Sequence, residues 1–398
     1  MPLNYINGAT LSSSTLSNGY TDETNNRALL VETSTPSFRI YDLNTVSQIG
    51  SNLTVLSSPS AVCMINTASA VVVSSSSSTI DYIEVATNYR TNRSGAVTVP
   101  NTSKQNLAVD TSSSIAMAVT GTAKQLFKID GSTFSTISNI EIVGSSTFTA
   151  ITLKSTGRWL VGTSIGEIVE VDSSGKVWDR MVISLPTNAS REPDSGSLLD
   201  STVYGLSFDN NMLIVSTGHG MSLLYDWTTK TLLNYTDTHT IAPTVAYIFS
   251  NSASGIVCGA SLSASNNAPI VAYDISSGSI DTDGYIFTGT SGTVNAIGIN
   301  RLNNRGWYIQ STNLFRVFSL TPNKTKVQRT FTSQYLGQDV QVELMLLNYG
   351  ASSIETPILH TSMQSPASYL VESGKTVLEV VKYGEGTNAQ FAFNKYTS

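Results

Sequence analysis

The residues able to do chemistry are few and widely separated. Three histidines, His219, His239 and His360, have no partner at ligand spacing, so a metal site would need the fold to bring its ligands together. Two cysteines, Cys63 and Cys258, sit in the apolar runs SAVCMI and GIVCGA, a pattern of buried free thiols more than of a disulfide or metal pair. Serine is abundant, yet no G-x-S-x-G elbow raises one on a strand-to-helix turn. Six acids, Asp42, Glu84, Asp130, Asp172, Asp226 and Asp274, each end an apolar run just before a turn-forming stretch. Carboxylates so placed bind a hard cation if they converge, and cap their own turns if they do not. Turn capping is the expectation, because each acid belongs to a different segment. Trp159, Trp178, Trp227 and Trp307 could line a sugar-binding groove, but they lie mostly within strand patterns and read first as core. No catalytic, cofactor-binding or metal-ligating residue is expected, and no cofactor.

These acids belong to a recurring phrase, clearest at Ile270 to Gly278, IVAYDISSG. Its counterparts are FRIYDLNT, DYIEVATN, LFKIDGST, IVEVDSSG, LLYDWTTK and FRVFSLTP. The marker positions 42, 84, 130, 172, 226, 274 and 319 are spaced by 42, 46, 42, 54, 48 and 45 residues. Upstream of most phrases lies a strand-turn-strand pair, such as AVCMINTASAVVVS, NLAVDTSSSIAMAV or YGLSFDNNMLIVST, with the small polar residues that tight hairpins require. Downstream comes a more polar alternating stretch, KTLLNYTD or KVQRTFTS, suited to an outer edge strand. A period of about 40 to 50 residues with four strands per unit is the mark of propeller blades.

Over residues 1 to 335 the pattern resembles seven-bladed β-propellers of the WD-repeat and YVTN type, in which the third strand of a blade often ends in a Tyr-Asp or similar pair. The resemblance implies that each phrase is a third strand. The Gly-His and Trp-Asp dipeptides of WD repeats are absent as a set, and Gly218-His219-Gly220 stands alone. VEVDSSGKVWD is similar to the tryptophan-docking turn of quinoprotein propellers, one residue short, and Asp172 to Trp178 loosely matches the Asp-box of sialidases. The plainer reading is a turn in which Asp172 bonds the backbone two residues on. The first blade lacks a clear first strand. Leu3 to Ile6 either supply it or pair with the last blade, closing a ring that would otherwise leave strand edges bare. Residues 184 to 201 read as an inserted loop, and Ser74 to Ser78 as a flexible hairpin tip. After Ser333 the period stops. QDVQVELMLLNYG, the hairpin-like LVESGKTVLEVVKYG and NAQFAFNKY suggest a small β-sandwich-like appendage over 336 to 398, a docking or assembly element whose core is marginal alone.

Of 398 residues, 40% are hydrophobic but only 13% charged, against about 25% in average domains. Ser, Thr and Asn must build the surface, and they favour strands and turns over helices. The net charge of −6 and the scattered 22 basic residues argue against nucleic acid as a partner. The N-terminal stretch lacks a basic region and an apolar region, and no apolar run approaches a membrane span of about 20 residues, so neither signal peptide nor membrane is expected. A charge-poor, Ser/Thr/Asn-rich β chain resembles the virion proteins of tailed bacteriophages. That likeness implies a non-enzymatic structural or decoration protein of the capsid, neck or tail, made in the host cytoplasm. Its partners would be other virion structural proteins in a multi-copy assembly. The alternatives are a receptor- or glycan-binding adhesin and, further off, a propeller glycosidase or lyase with acids and arginines converging in a central channel.

Overall fold

A computed structural model describes residues 5–11, 16–95, 97–99, 105–142, 146–184, 201–218, 221–237, 245–252, 255–261, 270–274, 285–286, 294–310, 314–320, 327–335, 338–348, 375–383 and 390–397. Among the described residues every regular element is a strand, and the chain divides into two compact units, Pro2–Thr321 and Pro322–Ser398.

The larger unit is a β-propeller. β1 (Tyr5–Thr10) opens the chain. Among the described residues, six four-stranded antiparallel sheets are then built from strands consecutive in sequence. Sheet I holds β2 (Leu16–Asp22), β3 (Arg27–Glu32), β4 (Ser37–Asp42) and β5 (Ser47–Thr54). Sheet II holds β6 (Pro59–Met64), β7 (Ser69–Ser74), β8 (Ile80–Glu84) and β9 (Tyr89–Ser94). Sheet III holds β10 (Leu107–Asp110), β11 (Ile115–Val119), β12 (Gln125–Asp130) and β13 (Ser135–Glu141). Sheet IV holds β14 (Phe148–Ser155), β15 (Arg158–Thr163), β16 (Glu167–Asp172) and β17 (Val177–Val182). Sheet V holds β18 (Val203–Asp209), β19 (Met212–Thr217), β20 (Met221–Asp226) and β21 (Thr231–Asp237). Sheet VI holds β22 (Val245–Asn251), β23 (Ile256–Ser261), β24 (Ile270–Asp274) and the two-residue β25 (Tyr285–Ile286). A further sheet is composite. β26 (Val294–Asn300), β27 (Arg305–Gln310) and β28 (Leu314–Ser319) take their outer strand from β1, with Thr10 opposite Leu314 and Tyr5 opposite Phe318. This closing sheet lies against β2 on one side and β22 on the other.

Every recurring phrase of the sequence falls on a third strand: β4, β8, β12, β16, β20, β24 and β28. The first blade does have a first strand, the polar-looking β2 (LSNGYTD), and the N-terminal residues serve the second of their two anticipated roles by pairing with the last sheet. Of KVQRTFTS, read as an outer blade strand, residues 327–333 instead fall within β29 (Val327–Tyr335) of the smaller unit. There β29, β30 (Gln338–Asn348), β31 (Lys375–Tyr383) and β32 (Gln390–Thr397) form one antiparallel sheet. A sandwich was expected and is not observed among the described residues. Of the stretch read as a hairpin at 370 to 384, residues 375–383 form β31, and 370–374 and 384 lie outside the described residues. Ser74 to Ser78 is no loose tip either: Ser74 is buried, its Oγ donates to Ser57 O at 2.6 Å, and it accepts from Ser77 N at 2.8 Å.

Why the inner strands read as unbroken apolar runs follows from the packing. Each sheet is covered on both faces, so alternate residues of one strand enter different cores. In β7, Ala70 and Val72 pack with Leu29, Val31 and Phe38 of sheet I, whereas Val71 and Val73 pack with Val109, Ala116 and Ala118 of sheet III. In β11, Met117 and Val119 turn to Trp159 and Val161 of sheet IV. β9, on the outside, alternates between exposed and half-buried residues instead, and β5 mixes the two with no buried residue. Burial of each such Val, Leu or Ile contributes about 1.5–3 kcal/mol relative to exposure.

The seam between sheet I and the closing sheet rests on Trp307. Its indole is fully buried, its Nε1 donates to Thr21 Oγ1 at 2.8 Å, and its ring passes over Gly19 and Gly298. A Cβ added at Gly19 would lie 2.5 Å from that ring, and one at Gly298 would lie 2.7 Å from it. Gly19→Ala therefore wedges the seam and should cost about 1–3 kcal/mol. Thermal denaturation measures this, and an unchanged midpoint would contradict the packing described.

Candidate functional site

The central channel of the propeller forms a concavity with a volume of about 460 Å³. Residues of β2, β6, β10, β14, β18, β22 and β26 all line it. These first strands converge only because small residues stand where they crowd. Gly19, Ala61, Ala108 and Gly298 line the channel, and Gly205 of β18 stands beside Gln105. At Gly205 an added Cβ would meet Gln105 Oε1 at 2.5 Å.

Gln105 precedes β10 and reaches across the channel. Its Nε2 donates to Ile248 O of sheet VI and its Oε1 accepts from Leu206 N of sheet V, each at 2.8 Å. Its own carbonyl accepts from Ile151 N of sheet IV at 2.9 Å. One amide side chain thus satisfies inner-edge backbone groups that no further strand could reach. The opposite ends of the first strands carry charge. Arg301 Nη1 meets Glu23 Oε1 at 2.7 Å, its backbone N donates to Glu23 Oε2 at 3.1 Å, and its Nε donates to Ser250 O at 2.8 Å. Lys154 Nζ lies 2.7 Å from Glu170 Oε2. Asp209 accepts from Ser252 N at 2.6 Å. Acids and an arginine do line this channel, and each of these charges is engaged by its own chain.

Tyr20, Phe208 and Phe249 add half-buried aromatic rings to the channel wall. Burial, followed by nearby groups including Glu23 and Asp22, pushes the Tyr20 hydroxyl well above its ordinary range, so it keeps its proton and can donate.

The recurring acids lie elsewhere. Each ends a third strand, two strands out from the channel, or roughly 10 Å away. Asp42 accepts from Asn44 N and Thr45 N at 2.8 Å, Asp130 from Ser132 N at 2.9 Å, and Asp226 from Thr229 N at 2.9 Å. Glu84 accepts from Thr87 Oγ1 at 2.6 Å. The residue after the acid then donates back to the first turn of the same sheet: Leu43 N to Asn26 O, Gly131 N to Ser114 O, Trp227 N to Asn211 O. Acid and turn are one repeated joint, and the carboxylates do not converge. Asp274 ends β24 in the same position. Among the described residues no group of three His, Cys, Asp or Glu is placed to hold a metal. His219, His239 and His360 lie outside the described residues, as do 185–200 of the inserted loop. Cys63 is buried with a free thiol.

The Asp172 turn is the most elaborate. Asp172 Oδ1 accepts from Ser174 N at 2.9 Å, two residues on, and from Lys176 N at 3.1 Å, while Oδ2 accepts from Trp178 Nε1 at 2.9 Å. Trp178 is 49% exposed, but cations lie against its ring, with Arg158 at 3.2 Å and Lys176 at 4.0 Å from the centroid. Trp159, Trp227 and Trp307 are buried. None of the four offers an open platform for a sugar ring.

Partial burial would raise these turn carboxyls, but the hydrogen bonds they accept outweigh it. Asp42 and Asp130 are held below the usual range and Asp172 is drawn down to about 2. A folded-state pKa below the unfolded value, near 4, adds stability that is complete above about pH 4 and lost as pH falls through the folded value. The melting temperature should therefore drop as pH falls from about 4 towards 2. Asp172→Asn, which cannot titrate, should flatten that dependence. A pH series of thermal melts checks both, and parallel curves would refute the assignment.

No protein-family model matches this chain, and no curated protein sequence matches it. Solved structures do resemble it, 1437 chains in all, a number that marks a common architecture. One is a chain of the crystal structure of a mitotic checkpoint complex, at 11% identity, with a TM-score of 0.57, covering 80% of this chain and 90% of that one. At that identity the likeness concerns the fold alone.

Proposed function

We propose that this chain is a non-enzymatic structural or decoration protein of a virus particle, a component of the capsid, neck or tail. In this reading the propeller is a seven-bladed ring of the WD-repeat and YVTN type with the composite sheet as its last blade. It acts as a disc that binds other virion structural proteins in a multi-copy assembly, and residues 336 to 398 serve as a docking or assembly element.

One observation carries the interaction role. The outer strands of consecutive sheets expose large apolar side chains: Tyr89 of β9, Ile137 of β13, Trp178 and Val182 of β17, and Leu233 of β21. Val182 is 70% and Tyr89 64% exposed. Outer edge strands normally carry polar or charged residues that discourage association, and repeated apolar exposure along the rim marks a protein-binding surface. The charges at the channel mouth, spent on partners within the chain, fit a scaffold. The placement in a virion rests on the low charge and the Ser/Thr/Asn-rich surface.

The test is co-sedimentation with particles purified from the host that makes this chain, read by mass spectrometry. The wild-type chain should travel with particles in multiple copies. The triple variant Tyr89→Ser, Val182→Ser, Leu233→Ser should fold normally yet remain in the soluble fraction. A wild-type chain found only as a soluble monomer would overturn the proposal, and full incorporation of the triple variant would remove the rim from it.

A further inference from the structure

The geometry points to the central channel as a binding site for a small, neutral, hydroxyl-rich molecule, in chemical class a free mono- or disaccharide. This goes beyond the scaffold reading and does not rest on it, since the rim and the channel are lined by different strands.

Size comes first. The volume of about 460 Å³ falls in the range of small-molecule pockets, about 300–1,000 Å³. Gln105, held on both sides by backbone partners, forms a fixed crossing at one end, so the channel is a cup with a floor more than an open bore.

Charge selects against anions. Arg301 is committed to Glu23, Lys154 to Glu170, and Asp209 to a backbone N–H. An anionic ligand would have to draw Arg301 or Lys154 away from its carboxylate, and a charge stripped of its partner in a confined site costs several kcal/mol. A neutral ligand leaves them intact.

The wall then selects polarity. The residues lining the channel include the aromatic Tyr20, Phe208 and Phe249 and the hydroxyl-bearing Tyr20, Thr111 and Thr152. Apolar ring surface beside hydroxyl donors and acceptors matches a saccharide, whose C–H face and hydroxyl rim present the same two characters. Water confined against aromatic rings is poorly hydrogen-bonded, so its displacement favours binding. The protonated Tyr20 hydroxyl is available as a donor to a sugar oxygen.

Isothermal titration of the full chain with glucose, galactose, N-acetylglucosamine and lactose, each up to about 10 mM, tests this. At least one neutral sugar should bind, and glucuronate should bind more weakly than glucose. Thr152→Phe, which fills the channel from β14, should abolish binding, with a thermal melt confirming the fold. Should that variant not fold, Thr111→Trp, in the exposed turn at the mouth, should block entry without touching the core. Trp178→Ala, on the outer rim, should leave affinity unchanged. The inference is overturned if no neutral sugar binds, if binding survives the folded channel variants, if it is lost in Trp178→Ala, or if glucuronate binds more tightly than glucose.

Discussion

A propeller sheet with two apolar faces cannot leave either one to water, and that constraint organises the larger unit. β7 and β11 send alternate residues into the cores on either side of their sheets, so each sheet is stable only between two neighbours. A linear stack would still expose its first and last faces. Bringing β26 against both β2 and β22 removes those ends, and β1 locks the arrangement by covering the outer edge of β28. Residues near the two ends of the propeller are thereby made to share one sheet.

Closure sets demands at both radii. Inside, the first strands crowd together, which requires the small residues Gly19, Gly205 and Gly298 and leaves inner-edge backbone groups with no neighbouring strand. Gln105 satisfies some of them from across the channel. Outside, the fourth strands are sheet edges facing solvent, and their exposed apolar residues are the feature least explained by the needs of a free-standing ring. The joints between these radii are the turns, where an acid at the end of the third strand caps its own loop and the following residue ties it to the first hairpin.

These levels assign roles to residues of similar chemistry. Glu23 and Asp42 are both acids beside turns. Glu23 follows a first strand, so it faces the channel and pairs with Arg301, whereas Asp42 ends a third strand and caps its own loop. Position within the blade, and not residue type, separates a group that shapes a cavity from one that shapes a turn.

The amino-acid sequence by itself determined the β class, the period and the place of every third strand, because these are local: a strand face and a turn cap are written in adjacent residues. It also marked the six acids as turn caps, and five of them can be seen in that role, Asp42, Glu84, Asp130, Asp172 and Asp226. What it did not carry are the long-range pairings. Nothing near β2 announced that LSNGYTD is a strand, since Ser17, Asn18 and Gly19 are chosen for contacts with β6 and Trp307 rather than for strand propensity. KVQRTFTS has the alternation of an outer blade strand and pairs elsewhere, because β1 takes that edge. Gln105, Glu23 and Arg301 carry no local signal for the same reason: their partners lie 101, 143 and 278 residues away. Only the closing of the ring brings those partners into reach.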